Sequence, residues 1–167
     1  MDHLMGEKMS RQTKAKQTQG DYRILQDIKS TKRRLKENMT EAEYKVLEKY
    51  EVEMVTEALA DTTRRKNFAM IWSLTKLLQG NWLMLNQDDI DSLVVEIMQK
   101  DGKNGKESPT SYDNKRFLKV WYRFVKLGSR HQELVGDPEE TKRIRGKNVV
   151  PKMTDMDMIP REEIKRV

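Results

Sequence analysis

Residues 108–127 constrain the fold of this chain more than any other stretch of its sequence. Ser108 followed by Pro109 predicts a helix start, because a hydroxyl caps the first turn and proline at the first helical position loses no hydrogen bond. Apolar side chains then recur at helical spacing on one face: Phe117, Val120, Trp121, Phe124 and Val125. The pattern predicts an amphipathic α-helix with this face in a hydrophobic core.

The opposite face of this helix is basic. At about 100° per residue, a tyrosine and a row of cations fall away from the apolar stripe: Tyr112, Lys115, Arg116, Lys119, Arg123 and Lys126. A face of this kind is often only the solvated side of a surface helix. It also suits a polyanion, and on this stretch alone both interpretations stay open.

Basic charge is unevenly distributed along the chain, which has 167 residues and a net charge of +6. Basic residues outnumber acidic ones by five in residues 1–40 and by five in residues 101–167. In residues 41–100 the acids lead by four. An acidic middle between basic ends indicates polarised surfaces, for which nucleic acid is a common partner.

Composition and spacing disfavour several classes of protein. The absence of cysteine excludes disulfides and thiolate metal sites, and no apolar run reaches the length of a membrane span. The N-terminus has no signal-peptide pattern. His3 and His131 lack a partner at ligand spacing, and the glycine loop at 101–107 matches neither a P-loop nor a calcium loop. We therefore expect a cytoplasmic protein without a metal, cofactor or catalytic residue.

Helix signals begin after a polar N-terminal stretch. Residues 1–20 are basic and polar, which predicts a flexible arm, and sparse apolar positions predict a helix over 21–39. Thr40 and Glu43 have the spacing of a capping box, which predicts a helix running to about residue 60.

Further helices are predicted by their end signals. Asp61 is the expected cap of a helix that buries Phe68, Ile71 and Trp72, and Asn86 is the expected cap of the next one. No stretch alternates as a half-buried strand does. We therefore predict an all-α bundle of four to five helices with a flexible basic N-terminal extension and a C-terminal linker.

The helix expected after Asp61 breaks a local rule. Arg64, Arg65 and Lys66 occupy its first turn, where the positive end of the helix dipole disfavours cations. A phosphate at this helix start would resolve the conflict, because backbone N–H groups and guanidinium groups both bind phosphate oxygens. A surface cluster of cations that is merely tolerated is the open alternative.

A series of short segments resembles the N-terminal core-binding domain of the tyrosine recombinases, which include the phage-type integrases. The segments occur in the order DTTRRKNF at 61–68, LNQDDI at 85–90, TSYD at 110–113, KRFLKVWYRFV at 115–125, DPEE at 137–140, VPKM at 150–153 and IPREEIKRV at 159–167. The resemblance covers about residues 41–167 and leaves the first 40 unmatched.

The resemblance implies a SAM-like helical domain that grips duplex DNA during DNA integration and recombination. It divides the chain into a basic extension at 1–40, a DNA-binding domain at 41–136, and a short helix, linker and start of a catalytic domain at 137–167. The family's nucleophilic tyrosine and its partners belong to that catalytic domain. We therefore expect no cleavage or ligation by this chain alone.

The resemblance also implies partners and contact positions. The expected partners are double-stranded DNA and a recombinase catalytic domain or other recombinase protomers. The DNA-contacting positions that it carries over are Thr63, Arg64, Arg65, Lys66, Thr110, Tyr112, Lys115, Arg116, Lys119, Lys142, Arg143, Arg145 and Lys147. The alternative is a helical protein–protein module, an accessory factor whose basic face meets an acidic partner and whose helix at 21–39 is the docking element.

Overall fold

The structure, a computed structural model, describes residues 3–101 and 107–145, and the side chains of residues 20–100 and 107–145. Within these residues no helix has both the length and the apolar character needed to cross a membrane. The regular elements of the described residues are helices, which confirms the predicted all-α class. They are α1 (His3–Asn38), α2 (Glu41–Thr56), α3 (Asp61–Leu77), a 3₁₀ turn (Trp82–Met84), α4 (Gln87–Asp101), α5 (Pro109–Leu127), α6 (Gln132–Val135) and α7 (Glu139–Lys142).

Trp121 of α5 lies at the centre of the core. Its side chain is 1% exposed and packs edge-on against Tyr50 of α2 and Trp82 of the 3₁₀ turn, with ring centroids 5.3 and 6.0 Å away. Phe124, one turn further along α5, lies nearly parallel to it. Edge-on and stacked aromatic pairs add to the free energy of burying their surface. The apolar stripe predicted for α5 is confirmed at these positions.

Glu43 connects the start of α2 to this core. Its carboxylate accepts hydrogen bonds from the Thr40 backbone N–H at 2.7 Å, while the Glu43 N–H donates to the Thr40 hydroxyl at 3.3 Å, so the predicted capping box is confirmed. The other carboxylate oxygen accepts the Trp82 N–H at 2.7 Å. A buried acid is thereby fully hydrogen-bonded, as its burial requires.

Helix α2 ends earlier than the sequence predicts. It stops at Thr56 rather than near residue 60, because Ala58 takes a left-handed conformation with φ of 55°. The Leu59 N–H then donates to the Met54 carbonyl at 3.0 Å, which closes the helix end.

Helix α1 is longer, and belongs to the bundle more closely, than the sequence predicts. It begins at His3 instead of near residue 21, so the expected flexible arm is helical from that residue onward. Ile28, Leu35 and Met39 are buried in the common core, and α3 is the helix that α1 contacts most. The boundary expected at residue 40 therefore does not separate α1 from the bundle.

Helix α3 buries Phe68 and Ile71 as predicted, but its cap and the placement of Trp72 differ from the prediction. Its cap position is Ala60, without a side-chain hydrogen bond, and Asp61 is the first helical residue. Leu74 is buried on its inner face, whereas Trp72 is only half-buried and lies beneath the Lys76 ammonium, 5.4 Å from the ring centroid.

Replacing Trp121 with alanine should lower the free energy of unfolding by about 3–5 kcal/mol, because it removes a large side chain from a fully packed site. Trp72→Ala is the matched control and should cost much less, since that ring is half-buried. Chemical denaturation of both variants measures the difference. Equal losses would contradict the placement of Trp121 at the centre.

Candidate nucleic-acid interface

The basic face of α5 is partly covered by the segments on either side of the helix. Lys115 is 2% exposed, and its ammonium lies 2.7 Å from a Glu107 carboxylate oxygen. It also donates a hydrogen bond to the Arg145 carbonyl at 2.6 Å. The expectation that Lys115 lies on an exposed strip is therefore wrong, because residues before and after α5 pack over it.

Asp137 holds two further cations of α5. Arg123, which is 5% exposed, donates from Nε to Asp137 Oδ1 at 3.0 Å, and the Lys119 ammonium lies 3.2 Å from the other oxygen. Burial opposes ionisation of Asp137, but hydrogen bonds from Arg123 and Lys119 outweigh it and hold its pKa below the usual 3.8. One carboxylate thus meets two cations, so one positive charge stays uncompensated.

A groove beside α5, here called the α5 groove, collects most of the exposed positive charge of this face. Its lining consists of Tyr112, Lys115, Arg116, Lys119, Val120, Arg123, Gln132, Ile144 and Arg145. Five of these side chains are cations, and the acids paired with them are Glu107 and Asp137, which leaves an excess of three positive charges. Arg116 and Arg145 are exposed.

Arg116 and Tyr112 form a pair at the mouth of the α5 groove. The Arg116 guanidinium lies 5.7 Å from the centroid of the Tyr112 ring, a cation–π distance that leaves its N–H groups open to solvent. The structure therefore brings together five positions that the sequence assigned to DNA: Tyr112, Lys115, Arg116, Lys119 and Arg145.

The cations at the start of α3 point in different directions. Arg64 turns toward α2, and its guanidinium lies 3.2 Å from Glu51 of that helix and 2.7 Å from Asp61 of its own helix. Its side chain is only 17% exposed. Arg64, which the resemblance assigned to DNA, is therefore held by these two acids. Arg65 is 47% exposed and lies 3.2 Å from Asp27 of α1. Lys66 is exposed, and within the described residues it has no ion-pair partner.

A second groove lies between α1 and α3 and is here called the α1–α3 groove. Its lining consists of Asp27, Ser30, Thr31 and Arg34 from α1 and Thr62, Arg65, Lys66 and Ala69 from α3. None of these α1 residues is among the DNA-contacting positions that the resemblance implies. Their spacing of i, i+3, i+4 and i+7 along a helix was the available signal, since it places them on one face.

The remaining predicted positions join neither groove. Thr63 and Thr110 are exposed, Lys142 pairs with Glu139, and Arg143 pairs with Asp91. Lys147 and the predicted linker and helix beyond it lie outside the described residues.

His131 has carboxylate partners that spacing along the chain did not reveal. Glu53 and Glu57, one turn apart near the end of α2, bring a carboxylate oxygen each within 4.8 Å of a His131 ring nitrogen. The Arg130 guanidinium also pairs with both acids. A cation already fixed on these carboxylates opposes binding of a metal ion there, so the cluster is better described as an ion-pair network.

Comparison of the chain with protein families, curated proteins and solved structures finds no match in any of the three. The resemblance to the recombinase domain therefore stays a prediction, and the two grooves are interpreted from their own geometry.

Lys115→Met should lower the free energy of unfolding by about 3–5 kcal/mol, because it removes the buried ammonium that lies 2.7 Å from the Glu107 carboxylate. Arg116→Met changes the neighbouring exposed cation and should have little effect on stability. Thermal and chemical denaturation compare the two variants. Equal, small losses would contradict the buried ion pair.

Stability should depend on pH through His131. The hydrogen bond to Glu57 raises the pKa of His131 above 6.5. The charged imidazole therefore stabilises the folded chain fully below the pKa that His131 has in the unfolded chain. This stabilisation is lost as the pH rises through the pKa of His131 in the folded chain. The free energy of unfolding, measured from about pH 6 to about pH 9, should fall more in the wild type than in His131→Gln. If the free energy of unfolding had the same pH dependence in the wild type and in His131→Gln, the part of His131 in the ion-pair network would be contradicted.

Proposed function

We propose that this chain binds duplex DNA through the α5 groove, as the DNA-gripping module of an integrase-like recombinase acting in DNA integration and recombination. The observation that carries the proposal is the excess of three positive charges in one open groove. Phosphate contacts from Lys and Arg supply most of the sequence-independent affinity for DNA. The proposal includes a cytoplasmic location and no cleavage or ligation by this chain.

The construction of the groove supports binding to an extended polyanion. The Lys115 and Arg123 side chains are held by ion pairs in the floor, which fixes the position of the neighbouring exposed cations. Arg116 and Arg145 are the exposed cations beside them. Because the helical backbone that carries Arg116 is already folded, less of the electrostatic attraction is spent on ordering the chain.

The alternative protein-docking function keeps only part of the apolar surface of the element assigned to it, since Tyr22 and Leu25 are exposed. It required the helix at 21–39 to offer its apolar side chains to a partner. Ile28, Leu35 and Met39 instead pack inside the bundle. We therefore favour DNA as the partner of the basic surfaces.

Fluorescence-anisotropy titration with a random-sequence duplex tests the proposal. With about six phosphate contacts, affinity should fall by roughly a thousandfold between about 50 and about 200 mM salt. Supercoiled plasmid should stay intact in the same mixture. If the duplex does not bind at the lower salt concentration, the proposal is wrong.

Arg116→Ala with Arg145→Ala should weaken binding and reduce the slope of log affinity against log salt by about two, because two phosphate contacts are lost. Lys49→Ala with Lys100→Ala is the matched control, since it removes the same charge from exposed positions outside both grooves. An equal loss in both double variants would indicate attraction by net charge and not by the α5 groove.

A further inference from the structure

We propose that the α1–α3 groove is a second phosphate-binding site for the same DNA, and that α1 supplies half of it. This inference rests on the proposed DNA-binding function and extends it to residues that the recombinase resemblance does not cover. It gives residues 27–34 a direct part in the interface.

The groove combines charged and hydroxyl side chains in the way that a phosphate site requires. Arg34, Arg65 and Lys66 are the cations of its lining, and Asp27 is the acid. The cations of the lining therefore outnumber its acid by two charges. Ser30, Thr31 and Thr62 add hydroxyl groups, which donate hydrogen bonds to phosphate oxygens.

Two of the three cations are free to bind a ligand. Arg34 and Lys66 are exposed, and within the described part of the chain neither side chain has an ion-pair partner. Lys32, two residues before Arg34, is by contrast paired with Glu51 on the other side of α1. Helix α1 thus directs Lys32 toward Glu51 of α2 and Arg34 into the α1–α3 groove.

Asp27 competes with phosphate for the third cation. Its carboxylate lies 3.2 Å from the Arg65 guanidinium, and both side chains are about half exposed. An exposed ion pair of this kind contributes little to stability, so a phosphate oxygen can replace the carboxylate at small cost. The Asp27 carboxylate accepts one hydrogen bond from Arg65, at 3.2 Å. A phosphate that accepts two parallel hydrogen bonds from the guanidinium would therefore be the stronger partner.

The arrangement of the two helices fits a nucleic-acid backbone better than a small anion. The lining residues of α1 run from 27 to 34 and those of α3 from 62 to 69, which is seven helical steps on each side. At 1.5 Å per residue, each side of the groove is about 10 Å long, whereas neighbouring phosphates on one DNA strand are separated by several ångströms. We therefore assign the groove to a length of phosphate backbone.

The test measures duplex DNA binding by the full chain at several salt concentrations. Arg34→Ala with Lys66→Ala should reduce the slope of log affinity against log salt by about two, with the melting temperature unchanged. Lys49→Ala with Lys100→Ala again serves as the charge-matched control and should leave the slope nearer to the wild-type value. Asp27→Asn should bind DNA several-fold more tightly than the wild type, because Arg65 is released.

Each outcome separates this inference from the proposed function. A wild-type slope in Arg34→Ala with Lys66→Ala, together with a reduced slope in Arg116→Ala with Arg145→Ala, would overturn the second site and leave DNA binding at the α5 groove. Failure of the wild-type chain to bind DNA would overturn both proposals. Unchanged or weaker binding by Asp27→Asn would overturn the competition between its carboxylate and phosphate.

Discussion

The pairing of α5 cations with acids from the neighbouring segments is the interaction on which much of this structure depends. Glu107 precedes the helix and Asp137 follows it, and each holds at least one cation of α5 in or near the interior. Unpaired, these buried charges would destabilise the fold strongly. The ion pairs fix the segment at 137–145 against α4 and α5. There the Gln87 side chain of α4 also donates a hydrogen bond to the Glu140 carbonyl at 3.0 Å.

The same pairing decides which positive charges are available to a partner. Lys115 and Arg123 serve the fold, whereas Arg116 and Arg145 stay at the surface beside them. At the start of α3 the division is similar, because Arg64 joins the Glu51 network and Lys66 does not. A row of cations in the sequence therefore contains two populations, and only the exposed one supports a DNA interface.

Local signals in the sequence predicted much of the fold. The capping box at Thr40 and the apolar stripe around Trp121 depend on residues within one or two turns, so spacing alone reveals them. The burial of Lys115 depends on Glu107 and on the Arg145 carbonyl, which lies 30 residues away along the chain. Spacing on α5 could not show that this side of the helix would be covered.

The candidate site was predictable to a similar extent. The positions of the α5 groove were named because they share one helix face, but the contribution of Arg34 required knowing that α1 packs beside α3. The carboxylates around His131 were missed for the same reason, since Glu57 lies 74 residues away from it. Long-range packing, and not local propensity, determines which charges meet.

Backbone amide NMR shifts during titration with a short DNA duplex show whether DNA binds where cations outnumber their acids. We expect the shifts to concentrate in residues 112–119, at Arg145 and along both sides of the α1–α3 groove. Small shifts are expected around the exposed Val52 on α2. Shifts confined to α2 and α4, or an absence of shifts, would contradict DNA binding at the two grooves.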